Sequence, residues 1–153
     1  MNIDNHIHEL LFQHDCVIVP GLGGFVANYQ SAYFNPSLQI FYPPNKKVAF
    51  NADLKENDGL LAKHVSNKND CSYDEANEHI SEFVNAALET LKADKIVEIN
   101  KVGVLRYNKD ENIEFNPGNE SNFLLSSFGM SPVQAPAIRR TSTEKTLIAQ
   151  PEP

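Results

Sequence analysis

His6, His8 and His14, with Asp4 and Asp15 close by, are side chains that bind metals. A metal needs its donors on one face of an element. On a helix His6 and His8 lie about 200° apart, so they cannot share an ion. No His-Glu-x-x-His pair or second ligand pair joins them, and they read as solvated histidines. Gly21-Leu22-Gly23-Gly24 has the composition of a phosphate-binding loop. Such a loop must run directly into a helix, whose free N–H groups face the phosphate. Here Phe25-Val26-Ala27-Asn28-Tyr29 follows, a strand-like run, so the glycines read as a turn. Cys16 opens an apolar run and reads as a small buried residue rather than a nucleophile. There is no Gly-x-Ser-x-Gly, and most carboxylates fall on one polar helix face or in turns. Acid–base or nucleophilic catalysis needs a poised pair in a pocket, and none is visible. The expectation is a non-enzyme with no metal and no cofactor.

The elements that position these residues follow from periodicity. Ser72 precedes Glu75 by three, a capping-box pattern. Ala76, Ile80, Phe83, Val84, Ala87, Leu88 and Leu91 then recur at helical spacing, predicting a long amphipathic helix over 72–92. Residues 58–65 predict a shorter helix, and the polar stretch Ser66-Asn67-Lys68-Asn69-Asp70 a turn between the two. After Leu91 the period changes to two. Strands are predicted over 96–99, 102–107 and 112–115, with a tight turn at 109–112. Residues 121–128 predict a short closing helix. Near the N-terminus, Ile3, Ile7, Leu10 and Leu11 mark a short helix. Strands are predicted over 16–19, 25–29 and 47–51, with a long excursion through Asn35-Pro36 and Pro43-Pro44. From Val133 onward the chain is polar and punctuated by proline, and 131–153 reads as a flexible tail.

The two halves repeat. At an offset of 80, Leu11 meets Leu91, Val17 meets Val97, Val19 meets Ile99, Leu22 meets Val102, Gly23 meets Gly103 and Phe25 meets Leu105. Beyond the hairpins, Phe50-Asn51 meets Phe115-Asn116 at an offset of 65. One insertion, in the first hairpin, aligns both copies. The units are 1–56, lacking a first helix and carrying a long hairpin arm, and 57–130.

The 153 residues include no apolar run of the ~20 residues that would span a bilayer. The N-terminus lacks the basic flank and apolar stretch of a signal peptide. Cys16 and Cys71 form no Cys-x-x-Cys pattern and suit a reducing, cytoplasmic setting. The net charge is −7, with −2 over 1–56, −6 over 57–130 and +1 over the tail. Neither unit has the basic balance that drives phosphate binding.

Residues 57–107 resemble the HU/IHF family of DNA-bending proteins. The resemblance rests on the short helix Asp58-Gly59-Leu60-Leu61-Ala62-Lys63-His64-Val65, the polar turn, the Ser-x-x-Glu-Ala helix start and the passage through Ile96-Val97-Glu98-Ile99-Asn100-Lys101-Val102-Gly103. Gly21-Leu22-Gly23-Gly24-Phe25 is close to the Gly-Phe-Gly-like turn of that family's hairpin. A narrower resemblance, over roughly 3–130, is to a bacterial branch with paired HU-like domains. Longer members of that branch often continue into a membrane segment and a peptidoglycan-binding SPOR repeat, and this sequence shows neither. The resemblance implies an α+β fold of two tandem HU/IHF-like units, each with helices and a three-stranded sheet. HU-type units normally dimerise, so the two copies are expected to pair within the chain, with 57–66 covering the missing first helix.

Two functions stay open. One is a cytoplasmic protein-binding adaptor, linked through the resemblance to cell-envelope or division machinery. Its anchors would be Tyr33, Phe34, Phe41 and Tyr42. The other is an HU-like nucleoid-associated DNA binder, which would touch phosphates through Lys46, Lys47, Lys101, Arg106 and Lys109. HU-like arms insert an apolar wedge beside Asn-Pro at their tips, and Asn35-Pro36 holds a comparable place. Yet 28–45 contains no Lys or Arg, which favours a protein partner.

Overall fold

The computed structural model describes residues 2–118, 123–124 and 130–135. The closing helix expected over 121–128 and the tail beyond 135 lie almost wholly outside these residues.

The long helix forms where its apolar stripe predicts. It is α3, Tyr73–Lys92, with Ser72 as N-cap. The Glu75 backbone N–H donates to Ser72 Oγ and the Ser72 N–H donates to the Glu75 carboxylate, so both halves of the capping box are present. Ala76, Ile80, Val84, Ala87 and Leu91 are its buried positions. α1, Ile3–Gln13, buries Ile3, His6, Ile7, Leu10 and Leu11. His6 therefore corrects the expectation of solvated histidines. α2, Leu60–Asn69, runs through most of the polar stretch expected to turn, and ends at Asp70 in the left-handed conformation. Its buried positions, Leu61, Ala62 and Val65, hold it in place. The Asn69 amide donates to the Val65 carbonyl within its last turn.

β1 (Cys16–Val19), β2 (Gly23–Gln30) and β5 (Asn45–Asn51) form one antiparallel sheet in the order β1-β2-β5. β6 (Val97–Ile99), β7 (Gly103–Tyr107) and β8 (Ile113–Pro117) form its counterpart. Between β2 and β5 the excursion folds into β3 (Tyr33–Asn35) and β4 (Ile40–Tyr42). β9 (Val133–Gln134), at the start of the stretch read as a tail, pairs with β4.

The repeat seen in sequence is a structural repeat. Leu11 and Leu91, Val19 and Ile99, Leu22 and Val102, and Phe25 and Leu105 are all fully buried. The Leu22 N–H donates to Val19 O and the Val102 N–H to Ile99 O, closing matching turns. All these residues belong to one hydrophobic cluster, which runs through the helices and sheets of both copies. A unit of about 60 residues buries too little surface to be secure alone, and sharing a core removes that weakness.

The pairing is close to two-fold. The first turn of α1 reaches the β6–β7 turn, where the Asn100 backbone offsets part of the rise that burial causes in the Asp4 pKa, and the Asn100 side-chain amide donates to Asn5 Oδ1 at 3.5 Å. Position 84, equivalent to position 4, reaches the β1–β2 turn, where a Cβ on Gly21 would lie 3.5 Å from Val84 Cγ1. Gly21 and Lys101, 80 residues apart, both have positive φ, +84° and +61°. Reciprocal contact of equivalent positions is the mark of an isologous interface, here formed within one chain. α2 packs on α1, β1 and α3, and so covers the side of the first unit where its own first helix is missing. The two sheets adjoin through β5 and β8.

Candidate binding surfaces

The hairpin arm is built from its tip. Asn35 Oδ1 accepts from the backbone N–H groups of Ser37 and Leu38, which tightens the chain around Pro36. Gln39 takes φ +53°, and its carbonyl accepts from the Ala135 N–H, tying the chain after β9 to the tip. Strand alternation then sorts the side chains by face. Tyr33 and Tyr42, cross-strand partners, stack with centroids 4.8 Å apart and planes 14° apart. The opposite row is Phe34, Phe41 and Val133, in register across all three strands. These are 44 %, 41 % and 57 % exposed, and Leu38 at the tip is 56 % exposed. Large apolar side chains in one row, this open to water, are unusual on a sheet of this size.

The five cations expected at phosphates are not brought together. Lys46 shares the inward face of β5 with Val48, is buried, and places Nζ 3.2 Å from Asp15 Oδ1. Lys47 is exposed on the other face. Arg106 is committed to Glu114 across the β7–β8 pair, with Nη2 at 3.2 Å and Nε at 3.3 Å from one carboxylate oxygen. Arg106 and Lys109 line a shallow depression that also holds Asp110 and Glu114. Lys101 stands at the other end of β7, just ahead of its first residue.

A third grouping escaped sequence reasoning. His6 and Glu9, one turn apart on α1, meet His64 of α2. The His64 ring Nε2 lies 3.0 Å from Glu9 Oε2, and Lys68 Nζ lies 3.4 Å from the same oxygen. The His6 and His64 rings meet edge to face at 5.3 Å. The His64 hydrogen bond foremost holds the Glu9 carboxyl below its ordinary range. Burial, and then His64, push His6 below the usual imidazole value. His8 points elsewhere, against Phe12 and Phe123, and is lowered by burial and by Lys101. His14 is exposed. The His6–Glu9 spacing is a visible signal of a shared helix face, but His64 joins them only through packing 55 residues downstream.

A helix-plus-hairpin unit repeated about a pseudo-two-fold axis defines the HU class. Residues 1–58 match the family model described as CCDC81-like prokaryotic HU domain 1. Residues 59–128 match CCDC81-like prokaryotic HU domain 2. The chain belongs to this family of tandem CCDC81-like prokaryotic HU domains. No curated protein matches it. HU-like domains make it a binding module for DNA or for protein. Among the described residues no helix is long and apolar enough to cross a membrane.

Proposed function

We propose that the chain is a non-catalytic protein-binding adaptor whose contact face is the β3–β4–β9 sheet. The observation that carries this reading is the exposed row Phe34, Phe41 and Val133, with Leu38 beside it. Rigid aromatic side chains on a paired strand lose little entropy on docking, and they supply the apolar centre that protein interfaces use. The arm between Asn28 and Asn45 carries no cation to draw in phosphate, and the chain as a whole carries −7. The partner is a protein presenting apolar side chains to this row. The two free cysteines support a cytoplasmic setting. The sequence resemblance to chains that continue into a membrane segment and SPOR repeat supports a link to the cell envelope or division machinery.

The family membership keeps DNA as the second reading. Its contacts would be Lys47, Lys101, Arg106 and Lys109, Lys46 being buried against Asp15. Affinity capture from nuclease-treated lysate, comparing the parent with Phe34→Ser/Phe41→Ser, tests the adaptor reading. A protein retained by the parent and lost by the folded double variant supports it. Equal capture by both contradicts it.

A further inference from the structure

We propose that His6, Glu9 and His64 form a binding site for a zinc-class divalent cation that clamps α1 of the first unit to α2 of the second. One donor atom from each residue lies within 4.8 Å of the other two. Two imidazoles and a carboxylate are a donor set that zinc accepts, with a fourth position left to water. Zinc–ligand bonds of ~2.0–2.1 Å place tetrahedral ligands about 3.4 Å apart. The His64–Glu9 pair, at 3.0 Å, stands a little inside that spacing and needs to open only slightly. In the empty site a proton bridges these two atoms; on binding it leaves His64 Nε2 for water, and the cation sits beside their line within reach of both.

His6 gives the second, independent reason. The residue is 8 % exposed, and Nδ1 is buried with no hydrogen-bond partner among the described residues. Asn69 meets the other nitrogen, Nε2, at 3.0 Å through the same amide nitrogen that donates to Val65 O. That anchored amide makes Nε2 the acceptor and leaves the Nδ1 proton orphaned, an arrangement that costs stability. Ligation through Nδ1, with the ring proton moved to Nε2 and the Asn69 amide turned away, would relieve it. Lys68 opposes a cation at Glu9, but its side chain is more than half exposed and free to swing into water. The site joins residues 55 positions or more apart, so an ion held there stabilises the pairing of the units by binding only the folded chain.

The test is titration of the metal-free full chain with zinc chloride, and with cobalt(II) as a spectroscopic probe. One equivalent should bind, the melting temperature should rise, and cobalt should show the visible bands of low coordination number. Glu9→Gln, on the exposed side of α1, should keep the fold and weaken binding by more than about tenfold, as should His64→Gln. His14→Gln, outside the cluster, should bind as the parent does. Absence of stoichiometric zinc binding would overturn the proposal. So would affinity that survives Glu9→Gln and His64→Gln, or that is lost with His14→Gln, which would mark an adventitious surface ion.

Discussion

Phe115 of the second unit lies edge to face on Phe25 of the first, with ring centroids 5.5 Å apart and planes at 73°. Phe50 completes the group, 5.2 Å from Phe25 and 6.4 Å from Phe115. Phe50 and Phe115 are equivalent positions on β5 and β8. Each lies over a glycine of the neighbouring strand, Gly23 or Gly103. The seam between the units is thus made by one motif used twice.

Those glycines give the first prediction. A Cβ on Gly103 would strike the Phe115 ring and the Asn116 carbonyl, and one on Gly23 the Phe50 ring and the Asn51 carbonyl. Gly103→Ala should destabilise the chain by about 1–3 kcal/mol through overpacking. Gly23→Ala should cost at least as much, because φ there is +156°. Chemical denaturation of the two variants checks both.

Lys101 occupies the turn position that Gly21 fills in the first unit, at φ +61°. An L-residue is strained there and glycine is not. Lys101→Gly should raise stability by about 0.5–1 kcal/mol after the entropy cost of glycine is subtracted. Thermal melts at matched pH read the change.

Ser72→Ala removes the N-cap of α3 and should cost about 1 kcal/mol near neutral pH. The hydrogen bonds from Ser72, backbone first, hold the Glu75 carboxyl below its ordinary value of 4.5. A carboxylate lowered in the folded state stabilises above its unfolded value and loses that contribution as pH falls through its folded value. Because Ser72→Ala keeps that backbone N–H, the pH-dependent comparison is with Glu75→Gln: the stability gap between parent and Glu75→Gln should be full above pH 4.5 and shrink below it. Melts from pH 7 to pH 3 follow the gap.

One shared core predicts that the halves fail alone. The full chain should run as a monomer by light scattering. Residues 1–58 and 59–128 expressed separately should lack cooperative melting and regain it when mixed. Two independently cooperative halves would contradict the intrachain pairing.

Much of this was legible in sequence because it is local or repeated. The stripe from Ala76 to Leu91 and the Ser72–Glu75 pair define α3 without tertiary information. The offsets of 80 and 65 mark equivalent residues whose burial matches at most pairs, the exception being Val97, half-buried where Val17 is fully buried. Lys46 was misleading as a charge in a Lys-Lys pair, although its alternation with Val48 places it on the inward face. The polar end of α2 read as a turn because packing by Leu61, Ala62 and Val65, not propensity, holds that helix. His6 read as solvated because α2, which covers it, lies more than 50 residues away. The arm read as an excursion, and β9 could not be foreseen, since a two-residue strand has no period of its own.

The most direct measurement is fluorescence anisotropy of labelled double-stranded DNA titrated with the full chain, at low and at physiological salt. A protein-binding adaptor with this charge distribution leaves the anisotropy flat at physiological salt and nearly so at low salt. Micromolar binding that falls steeply with salt, and weakens in Lys47→Ala and Arg106→Ala, would contradict the adaptor account and make the chain a DNA-binding HU protein.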